Sequence, residues 1–208
     1  MFEMIQSGGP VMWLIAACSV IAAVIFLERL LHLHRAQINA GDFLKGICNV
    51  LRRQNVVEAV SICEETPGPV AYIVRAAVLQ YDESRETIAQ TIKEAGLAEV
   101  PRLERNLNML LTLAQITPLI GLLGTVLGMM HGLQFIQQES PLVHSGDLGA
   151  GLWQALISTA AGLAVAIPTY AAYNFLVGRV EGIVLDMERA SAEILAFLLN
   201  QRRRGEAE

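Results

Sequence analysis

Three long stretches without Asp, Glu, Lys or Arg interrupt an otherwise charged chain. They cover residues 11–27, 107–136 and 148–177. A helix of thirty residues is about 45 Å long, which exceeds the ~30 Å hydrocarbon core of a bilayer. Soluble domains rarely contain such long uncharged segments. We therefore predict a transmembrane helix in each of the three stretches.

The segments outside these stretches are charged and carry apolar residues at helical spacing. Between the first two stretches, residues 28–106 contain several such stripes, so we predict a small helical domain there. Asp42 and Asn55 are the expected N-caps of two of its helices, and Asp82 or Ser84 that of another. The domain is too short for an enzyme with a deep pocket of its own. Residues 178–208 are predicted to continue the third span as an amphipathic helix.

The basic residues predict an orientation. Residues 28–106 hold ten of the fifteen Lys and Arg residues and the tail holds the other five, whereas residues 1–10 and the turn at 137–147 hold none. By the positive-inside rule, the helical domain and the tail are cytoplasmic, and the N-terminus and the turn are periplasmic. Because residues 1–10 lack the positive n-region of a signal peptide, we expect the first span to be retained.

Composition and charge reduce the number of possible functions further. Hydrophobic residues make up 53% of the chain and the net charge is −5. No basic stripe interleaved with aromatic residues indicates nucleic-acid binding. The three cysteines, Cys18, Cys48 and Cys63, form no CxxC motif and no cluster with histidine, so we predict neither a metal site nor a cofactor. The predicted fold class is an all-α membrane protein whose three transmembrane helices carry long cytoplasmic helical extensions.

Small residues follow one another along the second and third spans. The residues at spacings of three or four are Thr117, Gly121, Thr125, Gly128 and Gly132 in the second span, with Gly124 beside them, and Gln154, Ser158, Gly162 and Ala166 in the third. Such stripes let helices approach closely in lipid, so a packing seam is the simplest interpretation. Pro118 and Pro168 are candidate kinks.

Two threonines allow a second interpretation. Membrane threonines commonly donate to a carbonyl one turn earlier in their own helix, but Thr125 and Thr159 could instead line a hydrated ion path. A lone amide such as Gln154 is expected to clamp helices together, and His131 is expected to lie at the membrane interface. None of the spans contains a carboxylate or a basic side chain. If the chain moves protons, a partner must therefore supply the titrating group.

The segment 113–132, LAQITPLIGLLGTVLGMMHG, closely resembles the second-span signature of the MotA/TolQ/ExbB proton channel family. Residues 154–163, QALISTAAGL, followed by AIP at 166–168 and YN at 173–174, look like the last span of that family. The motifs LER at 103–105 and ERL at 28–30 also fit. Three spans point to the ExbB/TolQ branch, and GGPVMW at 8–13 is more similar to ExbB than to TolQ.

This resemblance implies a pentameric helical bundle around a central pore. It also implies a single-span partner of the ExbD/TolR kind that brings a membrane aspartate, and a TonB- or TolA-like protein that the complex energises. The family threonines that face the aspartate match Thr125 and Thr159. The family glutamate five residues before the second of these is replaced by Gln154, which cannot titrate. A TolQ-type role in envelope integrity and a non-conducting membrane scaffold remain the alternatives.

Overall fold

The computed structural model describes residues 9–139 and 145–205. Within those ranges the chain forms helices and no strand, so the predicted all-α fold is confirmed. The helices are α1 (Pro10–Ala36), α2 (Ala40–Arg52), α3 (Val56–Glu65), α4 (Pro69–Leu79), α5 (Arg85–Glu104), α6 (Leu107–Glu139) and α7 (Ser145–Gly205).

Three stretches of the described chain are helical, long and apolar enough to cross a membrane. They lie within Pro10–Arg52, Arg85–Gln134 and Gly151–Gln201, and they contain residues 11–27, 107–134 and 151–177 of the three uncharged stretches. The predicted periplasmic turn at 137–147 is partly helical, because α6 continues to Glu139 and α7 begins at Ser145. Residues 140–144 of that turn and residues 1–8 of the predicted periplasmic N-terminus lie outside the described residues.

The chain divides into two compact units. The first, which we call the span unit, comprises Met1–Arg29 and Asn106–Phe175; the second, the extension unit, comprises Leu30–Arg105 and Leu176–Glu208. The boundaries fall within three residues of the positions where the sequence changes between uncharged and charged. Helices α1 and α7 contribute residues to both units.

The extension unit has a core of large aliphatic side chains. Helix α4 is its most buried element, with Ile73, Val74 and Val78 each at most 1% exposed. The C-terminal part of α7 buries one face at Val180, Ile183, Met187, Ile194 and Leu198. This spacing is that of an amphipathic helix.

Helix starts in the extension unit are set by side-chain caps. Asn55 caps α3 as predicted, and Ser84 rather than Asp82 caps α5. The prediction for α2 was wrong, because Asn39 is the cap and its Oδ1 accepts a 3.4 Å hydrogen bond from the Asp42 amide. Asp42 lies three residues into the helix, where its carboxylate accepts a 2.7 Å hydrogen bond from the Asn39 amide group. An acid at this position also favours the positive end of the helix dipole.

Candidate functional site

Helices α6 and α7 approach so closely that their backbones touch. A Cβ added to Gly121 would lie 2.9 Å from the Ser158 carbonyl oxygen, and one added to Gly162 would lie 2.9 Å from the Thr117 carbonyl oxygen. Either distance is too short for a carbon–oxygen contact, so only glycine fits at these two positions. We call this contact the glycine seam.

The seam continues towards the start of α7. Gly128 lies against Ala155, where an added Cβ would be 3.1 Å from the Ala155 nitrogen, and Gly151 lies against Gly132. Gly124 is also buried, against the Ser158 side chain. The α7 side of the seam is therefore Gly151, Ala155, Ser158 and Gly162, at spacings of four, three and four. Ser158 and Gly162 were predicted from the sequence, whereas Gly151 and Ala155 were not.

At the flank of the seam, the Thr125 and Thr159 hydroxyls are hydrogen-bonded to each other across the two helices. The Thr125 Oγ1 also lies 3.2 Å from the Gly121 carbonyl oxygen in its own helix and 3.3 Å from the Ala155 carbonyl oxygen in α7. The Thr159 Oγ1 lies 3.4 Å from the same Gly121 oxygen. Because each hydroxyl has one proton to donate, these acceptors are alternatives between which the pair can switch.

Ser158 adds a third hydroxyl to the cluster. Its Oγ lies 2.8 Å from the Ala155 carbonyl oxygen and 3.3 Å from the Gly121 carbonyl oxygen. Ser158 is fully buried, whereas Thr125 and Thr159 are partly exposed. Three hydroxyls and two carbonyls thus converge at one point, and two of the three residues that carry the hydroxyls are partly exposed. Such a cluster can accept and donate hydrogen bonds, but it cannot change charge near neutral pH.

Other threonines of the same helices behave differently. Thr117 donates to the Leu113 carbonyl at 2.6 Å and Thr169 donates to the Val165 carbonyl at 2.7 Å, each within its own helix. Both side chains are buried, with 1% and 8% exposure. This is the ordinary role of a membrane threonine. Thr125 and Thr159 depart from it, because their hydroxyls meet between two helices.

Gln154 lies away from the seam. A Cβ at Gly9 would be 2.7 Å from the Gln154 Nε2, so the amide lies against the backbone that leads into α1. The structure therefore brings Gln154 to the start of α1 and Thr159 to α6. The role of Gln154 as a helix clamp stays a prediction, now with α1 as the neighbouring element.

The two prolines lie inside the spans. Pro118 is within α6 and Pro168 is within α7. Since proline has no amide hydrogen, the carbonyls of Ala114 and Ala164 lack their usual helical donor.

His131 lies towards the C-terminal end of α6, and it is exposed. In the part of the chain that the structure describes, no three His, Cys, Asp or Glu side chains are grouped as a metal site would require.

Comparisons with known proteins agree with these features. A model of the MotA/TolQ/ExbB proton channel family matches residues 65–189. The biopolymer transport protein ExbB of Neisseria meningitidis serogroup B is 26% identical, and the alignment covers 95% of this chain and 96% of that protein. The Tol-Pal system protein TolQ of Haemophilus influenzae is 35% identical, and the alignment covers 58% of this chain and 54% of that protein.

A third relative is also named for ExbB. An ExbB homolog of Methanothermobacter thermautotrophicus is 25% identical over 86% of this chain, and the chain spans 63% of that protein's length. The family match includes the glycine seam and the hydroxyl cluster, and it extends over more than half of the sequence. The resemblance seen in the two spans is thereby confirmed, and this three-span helical membrane protein belongs to the MotA/TolQ/ExbB proton channel family.

Proposed function

We propose that the chain is the proton-conducting subunit of an ExbB-type energy-transducing complex in the bacterial inner membrane. The observation that carries this proposal is the paired Thr125 and Thr159 hydroxyls between two spans that contain no titratable carboxylate. The N-terminus is periplasmic and the C-terminus cytoplasmic, as the basic residues indicate. Pro118, Gly121, Gly124, Gly128, Ser158, Gly162 and Pro168 shape the two helices around the pair.

The titrating group comes from another chain. A single-span partner of the ExbD/TolR kind brings an aspartate to the pair, where two hydroxyls can donate hydrogen bonds to its ionised form. Such bonds favour the carboxylate, and protonation releases them, so the contact between the subunits depends on the proton. Each proton crossing the membrane yields about 2.3 kcal/mol per 100 mV, which drives movement of the partner relative to the surrounding subunits. This movement is transmitted to a TonB- or TolA-like protein.

We propose that copies of the chain assemble as a pentamer around the partner. Exposed apolar side chains outside the spans support self-association, because lipid does not cover them. Leu97 on α5 is 64% exposed and borders a groove of about 440 Å³ on the extension unit. Ile92 and Leu195 also line this groove, and Lys93 and Glu188 bring opposite charges to it. A second copy of the chain is the occupant that we propose for the groove.

Two observations bear on the choice between an ExbB-type and a TolQ-type role. The Neisseria ExbB aligns over nearly the whole of both chains, which favours the ExbB type. The TolQ of Haemophilus is more identical over a shorter region, and this keeps a TolQ-type role in envelope integrity as the second candidate. Purification of the complex from its native membrane decides between them: recovery of a TonB-like protein supports the first and recovery of a TolA-like protein the second.

The central test replaces the paired hydroxyls. In proteoliposomes that contain the chain with its single-span partner, Thr125→Ala and Thr159→Ala should each reduce proton flux at least about tenfold. Thr125→Ser and Thr159→Ser retain a hydroxyl and should keep most of the flux. Assembly is checked on the same samples by size-exclusion chromatography and mass measurement.

Thr169→Ala is the matched control. It removes the same atoms from the same helix as Thr159→Ala, but its hydroxyl donates only within α7. We expect its flux to equal that of the original chain. Unchanged flux in fully assembled Thr125→Ala and Thr159→Ala proteins would exclude the ion-path assignment and favour a non-conducting scaffold.

Gln154 has a different proposed role. Since its amide lies against the backbone at Gly9, Gln154→Ala should mainly weaken assembly of the complex and leave flux per assembled complex unchanged. A fully assembled variant without flux would instead make Gln154 part of the ion path.

A further inference from the structure

Ser158 is the buried member of the hydroxyl cluster that it forms with Thr125 and Thr159. It is 0% exposed, whereas the two threonines are partly exposed. A Cβ added to Gly124 would lie 2.7 Å from both the Cβ and the Oγ of Ser158, so α6 encloses this side chain closely. The Ser158 hydroxyl therefore donates its proton to an acceptor inside the seam.

Each of the two carbonyls in the cluster has one lone pair left for a hydroxyl. A carbonyl oxygen has two lone pairs, and in a helix one of them accepts the amide hydrogen four residues ahead. The Ser158 Oγ lies 2.8 Å from the Ala155 oxygen and 3.3 Å from the Gly121 oxygen, so its shorter hydrogen bond occupies the Ala155 lone pair. The Thr125 Oγ1 lies 3.3 Å from the same Ala155 oxygen, and it is excluded while Ser158 donates there.

This hydrogen bond of Ser158 limits where the two threonine protons can go. One threonine donates to the other. The second proton then has the Gly121 oxygen as its acceptor in the seam, 3.2 Å from the Thr125 Oγ1 and 3.4 Å from the Thr159 Oγ1. Without the Ser158 hydroxyl, the Ala155 oxygen would become a second inward acceptor for Thr125. A proton that is donated inward is not available to a group that approaches the threonines from outside the seam.

We propose that Ser158 is a positioning residue for the ion path: by donating to the Ala155 carbonyl, it keeps the Thr125 hydroxyl available to the partner's carboxylate. This inference rests on the proposed function, in which that carboxylate meets the threonine pair. Ser158 thus strengthens a hydrogen bond that it does not itself make. Its contribution is the difference between one and two inward acceptors, so it is smaller than that of the Thr125 hydroxyl itself.

The test follows the carboxylate stretching band of the partner's aspartate in the infrared spectrum of the purified complex, because the frequency of this band depends on the hydrogen bonds that the carboxylate accepts. Replacement of that aspartate by asparagine assigns the band. Ser158→Ala removes the Oγ and leaves the Cβ against Gly124. It should shift the band in the same direction as Thr125→Ala, by a smaller amount, and reduce proton flux in proteoliposomes about threefold. The double variant should match Thr125→Ala alone, because Ser158 acts through Thr125.

Ser191→Ala is the matched control. It removes the same atom from the same helix, but the Ser191 Oγ donates to the Met187 carbonyl at 2.7 Å within the extension unit. We expect the band and the flux of this variant to equal those of the original complex.

The outcomes separate this inference from the proposed function. An unchanged band in Ser158→Ala, together with a shifted band in Thr125→Ala, would overturn the role of Ser158 and leave the proposed function standing. Additive shifts in the double variant would also overturn it, because Ser158 would then act through packing. Unchanged bands in both single variants would overturn the inference and the proposed contact between the threonine pair and the carboxylate together.

Discussion

The span unit and the extension unit hold their helices together with opposite kinds of side chain. In the span unit, Gly121 and Gly162 let two backbones touch. In the extension unit, large side chains such as Ile73 and Ile194 fill the space between helices and are at most 1% exposed.

The difference follows from the solvent around each unit. Helices in water associate because apolar area leaves water, so large aliphatic side chains stabilise them most. Lipid tails are as apolar as leucine, so helices in a bilayer associate through close contact and hydrogen bonds instead. We therefore expect the stability of the extension unit to fall when side-chain atoms are removed. The stability of the glycine seam should instead fall when atoms are added.

The largest loss of stability is expected when side-chain atoms are removed from the core of the extension unit. Ile73→Ala should lower the free energy of unfolding of the full chain in detergent by about 2–5 kcal/mol, because it leaves a cavity in a packed core. The measurement is denaturant unfolding followed by far-UV circular dichroism. Leu79→Ala on the same helix is the control: Leu79 is 56% exposed, and its truncation should have little effect. Equal losses in both variants would contradict the idea that burial stabilises this unit.

Adding one methyl group to the seam is expected to have the next largest effect. Gly162→Ala should destabilise the span unit by about 1–3 kcal/mol, because the new Cβ overlaps the Thr117 carbonyl oxygen. Gly178→Ala on the same helix meets no atom within 4 Å and should stabilise the helix by about 0.5–1 kcal/mol. Thermal denaturation in detergent compares the two. If both variants shift the melting temperature in the same direction, close backbone contact at Gly162 does not determine the stability of the seam.

Local features of the fold could be predicted from the sequence. The caps at Asn55 and Ser84 follow from side chains that bond to amides two or three residues ahead. Asp42 was chosen wrongly because two acceptors three residues apart, Asn39 and Asp42, can each start a helix. Only the reciprocal hydrogen bonds of the folded turn distinguish the cap from the third residue of the helix.

The register between α6 and α7 could not be predicted in the same way. A row of residues every four positions rotates by about 40° per step around a helix of 3.6 residues per turn. Gln154 therefore leaves the face that Ser158 and Gly162 share, and Ala155 takes the position in the seam. The resemblance identified Thr125 and Thr159, but the contact between their hydroxyls depends on how the two helices are aligned, which no local signal encodes.

A smaller effect is expected where α6 begins. Asn106 has a left-handed backbone with φ of 62°, and its Nδ2 donates a 3.3 Å hydrogen bond to the Glu28 carboxylate. Asn106→Ala should lower the free energy of unfolding by about 1–2 kcal/mol, because alanine is strained in this conformation. Asn106→Gly removes the strain as well as the hydrogen bond and should cost less. Melting temperatures in detergent rank the variants, and an equal loss in both would assign the effect to the hydrogen bond alone.

The smallest effect concerns Cys63, whose thiol belongs to the packed core of the extension unit and is 3% exposed. Its pKa is raised to about 11, chiefly by burial; Arg75 opposes this shift and Glu64 adds to it. The folded state therefore holds the proton more tightly than the unfolded state, whose thiol titrates near 8.5. This contribution to stability is complete below about pH 8.5 and is lost as the pH rises towards 11.

Alkylation measures the same pKa directly. In a variant that keeps only Cys63, with Cys18→Ala and Cys48→Ala, the rate of reaction with iodoacetamide should rise about tenfold per pH unit up to about pH 11, since only the thiolate reacts. The same protein in sodium dodecyl sulfate serves as the control and should level off near the ordinary thiol pKa. A rate that already levels off near pH 8.5 in the folded protein would mean that Cys63 is in contact with water, and that the core around α3 and α4 is open where the structure shows it closed.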